Sequence, residues 1–262
     1  MIVFTGPRLK VQRAKEHISD LNRGVLAFKR KNPYKIVEDR DSKPGYHLLR
    51  VIELFKPPEN WPVIIGDVLH NLHSGLDILA CDICRTFGRK NVRNIYFPFA
   101  KSADTFEDAI KNRKINKTTP NIVNEFRGLK AYEGGDAILY GIHTLNLSDK
   151  HQLLITIKAP TGIQHPRVIA PDGRVLLESH PDTTLMMVHE NRILFECRVS
   201  DNFKFEYDRK VSVDVLFDIG KLNLKSVIPT LTQMTQLVEQ FIATFEGHIN
   251  NPRPSISLGY DS

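Results

Sequence analysis

The chain has 262 residues and a mass of 29.9 kDa, enough for one large domain or two small ones, and its 41% apolar content supports a full core and excludes wholesale disorder. No run approaches the roughly 18 apolar residues that span a bilayer, and the start MIVFTG lacks the basic-then-apolar order of a signal peptide. Three cysteines, Cys81, Cys84 and Cys197, exclude a disulfide scaffold, so the reading is a cytoplasmic protein with no membrane partner.

The net charge is +6, and residues 1–50 hold 12 Lys/Arg against 5 Asp/Glu. Such a segment attracts phosphate, which raises a phosphate-bearing substrate or a nucleic acid as partner; the plainer reading is the solvated face of a helix. No helix-turn-helix, aromatic RNA platform or paired zinc ligands accompany it.

Val11, Ala14, Ile18, Leu21, Val25 and Phe28 recur at spacings of three and four and predict a helix between Pro7 and Asn32-Pro33. Extended runs follow at Tyr34–Asp39 and Tyr46–Phe55, separated by Pro44-Gly45. A second helix is expected from about Pro62 to Thr86, short helices and loop over 101–120, and a further helix from Gly135 to about His151. The pattern then turns to strand: Leu153–Lys158, Arg167–Glu178 around Pro171-Asp172-Gly173, a hairpin of Thr183–His189 and Arg192–Val199 around Glu190-Asn191, and Phe203–Phe217. Val227, Leu231, Met234, Val238, Phe241 and Phe245 keep a seven-residue repeat in a last helix over 226–248, an apolar stripe that fits either the chain's own core or a second copy. The expected fold class is α+β, a helical bundle packed beside a mainly antiparallel β-sheet. It is read as one domain over 1–249 (helix-rich 1–151, strand-rich 152–218, the last helix), with a flexible tail over 250–262.

Two polar clusters stand out. On the helix after Trp61, Ile65, Val68, Leu69, Leu72, Leu76, Leu79 and Ile83 share one face, while Asp67, His70, Asn71, Ser74 and Asp77 gather on the other. No Lys, Arg or Glu lies between Glu59 and Arg85, where a solvent face would carry them, so the stripe reads as covered. As a site, His70 is base or ligand, Asp67 and Asp77 are carboxylates, Asn71 is an orienting amide and Ser74 supports them; as structure, the same residues form a buried hydrogen-bond network. A divalent metal is weakly supported, because His70 and His73 at i, i+3 diverge by about 60°. In the second cluster, LNLSDKH, Asp149 falls next on the apolar stripe of Ile138, Ile142 and Leu145, with Lys150 and His151 beside it and His143 and Asn146 one face around. An inward carboxylate needs a partner, so Asp149 or His151 is expected to meet the His70 stripe; a capped, salt-bridged helix end is the alternative. Cys81 and Cys84 sit late in an apolar helix and read as core thiols.

His70, Asn71, Leu72, Ser74, Leu76 and Asp77, then Phe97-Pro98-Phe99, then Asp149, Lys150 and His151 together resemble a family of uncharacterised bacterial proteins. That family has an HNLRSALD-type helix, an F-P-[IF] segment and a later DKH motif. The resemblance covers about residues 55–155 and implies that these positions belong together; it implies no activity. The chain departs from the pattern at His73, where the family has Arg, and at Gly75, where it has Ala. Two functions follow: a hydrolase-type enzyme with an Asp/His site, or a non-catalytic binding protein whose clusters are structural.

Overall fold

In the computed structural model, the described residues are 3–39, 43–151, 157–158, 161–178, 184–187, 193–202, 204–218, 222 and 225–251. Among them are six α-helices and nine strands: α1 (Thr5–Arg30), β1 (Tyr34–Asp39), β2 (Tyr46–Glu53), α2 (Trp61–Thr86), α3 (Ala103–Asn112), α4 (Pro120–Gly128) and α5 (Ala137–His151). Then come β3 (Ile157–Lys158), β4 (Thr161–Ile169), β5 (Val175–Glu178), β6 (Thr184–Met187), β7 (Ile193–Arg198), β8 (Lys204–Val213), β9 (Leu216–Phe217) and α6 (Val227–Asn250). The class is α+β, with helices packing together and every strand pair antiparallel.

The chain forms two compact units interleaved in sequence, one of Met1–Ser19, Val63–Ile155 and Pro229–Ser262, the other of Asp20–Pro62 and Thr156–Ile228. The long helices are where the apolar periodicity says they should be. The stripe of α1 is buried along its length, the seven apolar residues of α2 are fully buried, and so are five of the six stripe positions of α6, with Phe241 nearly so. The stripe of α6 is therefore spent inside its own chain, and a second copy would have to use another face.

In the first unit the core is an aromatic and aliphatic mass at the meeting of several helices. Phe97, in the extended segment after α2, lies 5.7 Å from Phe126 of α4, which lies 4.7 Å from Phe245 of α6 (ring centroids). Charges clamp its rim: Arg8 of α1 pairs with Glu246 of α6, Lys15 with Glu239 at 2.6 Å, and His248 with Glu125 of α4 at 2.8 Å. Asp136 starts α5 by accepting the backbone N–H groups of Ile138 and Leu139 at 2.9 and 2.8 Å, as an N-cap does.

In the second unit, Trp61 packs edge-on to Phe28 at 5.5 Å, and Gly24 leaves room for it, since a Cβ there would sit 3.1 Å from the indole nitrogen. The strands form three sheets: β1-β2-β7, β3-β9, and β5-β4-β6 with β8 also on β4. The β4–β5 hairpin turns at 170–173, with Gly173 at φ +84°, as Pro171-Asp172-Gly173 predicts. Among the described residues the expected hairpin of Thr183–His189 with Arg192–Val199 is not seen: β6 pairs with β4, whereas β7 pairs with β2, Tyr46 opposite Arg198. Each strand pairs outside that hairpin, which local pattern does not encode, and Glu190-Asn191 lie outside the described residues. Residues 153–156 of the expected Leu153–Lys158 run, and the tail beyond 251, lie outside the described residues.

Removing the ring of Phe245, which is fully buried, should cost about 3–5 kcal/mol in a denaturant melt of Phe245→Ala. Two residues on, a Cβ on Gly247 would meet nothing within 4 Å, so Gly247→Ala in the same helix should instead stabilise by about 0.5–1 kcal/mol.

Candidate functional site

Helices α2 and α5 run side by side in the first unit, and two contacts fix their register. At one end the Asp149 carboxylate lies against Gly66: a Cβ on residue 66 would sit 2.6 Å from both of its oxygens and 2.8 Å from its Cγ. At the other end His73 Nε2 and His143 Nδ1 share a hydrogen bond of 3.1 Å. Going up α2 from 66 to 73 thus means going down α5 from 149 to 143, so the helices are antiparallel. The stripe Gly66, His70, His73, Asp77 repeats at four, three and four, which keeps it on one line along α2.

The centre of the seam is a chain of three side chains. Asp77 Oδ2 lies 3.3 Å from His73 Nδ1, one turn away on α2, and its Oδ1 accepts the backbone N–H of Phe97 at 2.9 Å. His73 then reaches His143 across the seam. The rings are also stacked: Phe99 lies 4.3 Å from His143 at 14° between planes, and 5.4 Å from His73 at 23°. The Phe97-Pro98-Phe99 segment thereby serves both ends of the chain, anchoring the carboxylate with a backbone N–H and flattening the histidines against a ring. His73 and Asp77 keep 14% and 24% of their side-chain surface, so the chain is shielded but not sealed.

Burial pushes the His143 imidazole down to about 4; the neighbouring His73 adds to this, and Asp77 pulls the other way. At neutral pH His143 is therefore uncharged. The Asp77 carboxylate favours a proton on the His73 Nδ1 that faces it. In that tautomer the His73 Nε2 accepts the N–H of His143 Nδ1, which leaves Nε2 of His143 as the bare nitrogen at the end of the chain.

The residues singled out from the sequence are distributed as follows. Asp77 and Asp149 both lie on the seam. His70 is exposed, with Ser74 Oγ 3.4 Å from its Nε2, and Asp67 is exposed one turn before it. Asn71 is buried toward α1: its Nδ2 donates to Asp67 O at 2.8 Å and its Oδ1 accepts from Lys10 Nζ at 3.3 Å. Lys150 and His151 close α5, and their side chains lie outside the described residues. Two residues of the chain were not counted as site members: His73, noted for diverging from His70 and for departing from the family pattern, and His143, noted only as one face around from Asp149. Helical spacing could have found His73, which is four before Asp77, whereas His143, six before Asp149, stands about 120° from it on the helix and gives no such signal.

Among the described residues no group of three His, Cys, Asp or Glu side chains is set to hold a metal ion. Cys81 and Cys84 are free thiols; Cys81 Sγ contacts the Ile95 carbonyl at 3.2 Å, and burial pushes Cys84 up to about 11, so neither is an activated nucleophile. A groove of about 350 Å³ lies between α1 and α6, lined by Val3, Arg8, Leu9, Glu239 and Ile242 among others, and none of the seam residues borders it. No helix among the described residues is long and apolar enough to cross a membrane. Comparison with protein-family models, curated proteins and solved structures returns no match.

Two outcomes follow from this geometry. Gly66→Ala should destabilise by about 1–3 kcal/mol, because the intruding methyl must displace Asp149 and this exceeds the gain in helix propensity. For His143 the unfolded chain binds its proton near pH 6.5 and the folded chain only near 4, so unfolding takes up a proton between these values. Stability from this residue is complete above about pH 6.5 and is lost as pH falls toward 4. Denaturant melts across that window should show the wild-type slope flattened in His143→Gln.

Proposed function

We propose that the chain is a hydrolase-type enzyme whose general base is His143, backed by His73 and Asp77, and that it is a cytoplasmic bacterial relative of the HNLRSALD-type family. The observation that carries this is the ordered series Asp77–His73–His143. A water deprotonated by the bare nitrogen of His143 would make that ring an imidazolium. Its Nδ1–H then donates more strongly to His73, and the positive charge is drawn toward the Asp77 carboxylate, which is itself held by Phe97 N–H. The carboxylate thus acts through His73 on a ring it does not touch.

A nucleic-acid or phosphate-bearing substrate draws little support from α1. Arg8 and Lys15 are paired with α6, Arg13 and Arg23 with Glu16 and Asp20 of their own helix, and Lys29 with Asp214 at 3.6 Å. Each such pair is weak, about 0–1 kcal/mol, yet a polyanion would have to displace all of them to use that face. The second reading, a non-catalytic binding protein, rests on the ring stack: Phe99, His143 and His73 pack as an aromatic wedge would.

A panel of p-nitrophenyl acetate, p-nitroacetanilide and p-nitrophenyl phosphate distinguishes the two. Turnover of one member should fall by about 10²–10⁴ in His143→Ala, the share general-base catalysis contributes, with the variant still folded by circular dichroism. Absence of turnover on the whole panel, with Asp77→Ala destabilising by about 1–3 kcal/mol, would establish the structural network instead.

A further inference from the structure

The seam holds one group that neither the base nor the fold uses. Asn146 on α5 is 1% exposed, and among the described residues neither its Oδ1 nor its Nδ2 has a hydrogen-bond partner. Buried polar side chains are as a rule paired, and an orphaned donor or acceptor costs about 1–3 kcal/mol. A leucine here would pack at no such cost, so the folded chain gains nothing from the amide.

Its position says what the amide is aimed at. Asn146 lies three residues after His143 and three before Asp149, so it is midway between them both in height and in angle on the helix. Those two neighbours reach α2 at His73 and at Gly66, and Asn146 therefore faces the same seam, at the level of His70. The orphaned amide and the bare end of the Asp77–His73–His143 chain are one helical turn apart on one face.

We propose that the α2–α5 seam is a binding site for a small ligand bearing an amide edge, an N–H beside a carbonyl or ring acceptor, and that Asn146 is the residue that reads it. The chemistry of the side chain selects this class. Its Nδ2 needs an acceptor and its Oδ1 needs a donor. A phosphate dianion or a carboxylate supplies only acceptors and leaves Oδ1 orphaned; an amide edge satisfies both atoms in one plane, as Asn does with adenine. The site is closed in the structure, since Asn146 has almost no free surface, so the ligand enters as the last turns of α5 lift from α2. The inference rests on the hydrolase reading only in taking the bound amide edge to lie beside the base; a binding protein would use Asn146 in the same way.

The test reads binding and not turnover. Benzamide stands for the carboxamide source of the edge and uracil for the nucleobase source, each titrated into ¹⁵N-labelled full-length protein. The Asn146 side-chain NH₂ resonance pair is assigned by its loss in Asn146→Leu, with Asn146→Ser as the second variant if leucine does not fold. The expected result is that one probe moves this pair in the wild type and binds at least about tenfold more weakly to the variant. Movement with benzamide alone assigns a carboxamide, with uracil alone a base, and with both the shared edge. An NH₂ pair that neither probe moves, or equal affinity in wild type and variant, overturns the proposal. Because His143 is intact in every sample, a negative hydrolase panel leaves this result standing, and a failed titration leaves the base reading standing.

Discussion

Two helices with polar faces can pack against each other only where each brings what the other lacks, and the seam between α2 and α5 is governed by that requirement. A charged or polar group withdrawn from water loses several kcal/mol unless a partner replaces the water. On α2 the stripe offers an empty position at Gly66, imidazoles at His70 and His73, and a carboxylate at Asp77; on α5 it meets Asp149, Asn146 and His143. The seam is close because Gly66 has no side chain, and Asp149 occupies the volume a methyl would need. It is ordered because Phe97 N–H fixes Asp77 and Phe99 fixes the plane of the His143 ring. Everything chemical in the molecule that the structure brings together depends on this one approach.

The apolar half of the fold was legible in the sequence because it is periodic. Stripes such as Val11 to Phe28 and Val227 to Phe245 repeat at helical spacing, and burial follows that spacing residue by residue. The sheets were legible as strands, and the β4–β5 pair was legible from its turn, but the partners of β6 and β7 were not. β6 and β7 are neighbours in sequence and belong to different sheets, since β7 pairs with β2 some 150 residues earlier. Register over such a distance is decided by which faces are left to cover, and a local pattern holds no record of that.

The candidate site was half legible for a related reason. The absence of Lys, Arg and Glu along α2 pointed to a covered polar face, which holds for Asn71 and in part for Asp77 but not for Asp67 and His70, which are exposed; the inward phase of Asp149 pointed to α5 as the cover. Which histidine faces inward was not readable, because His70 and His73 stand about 60° apart on the helix and both border the stripe. The crossing of α5 chooses between them: the ring that meets its neighbour is His73, four residues before Asp77, and His70 is left exposed beside Ser74.

The seam also carries a cost. Asn146 is buried with both ends unpaired and works against folding at any pH, and His143, its proton affinity lowered by burial, joins it below about pH 6.5. The stability they forgo is recovered nearby, in the fully buried stripe of α2 and the ring cluster of Phe97, Phe126 and Phe245. Strong packing on one face of α2 and weak, polar packing on the other is the distribution expected of a rigid scaffold that carries a site, because a site needs groups poised to change partners and a core needs groups that never do.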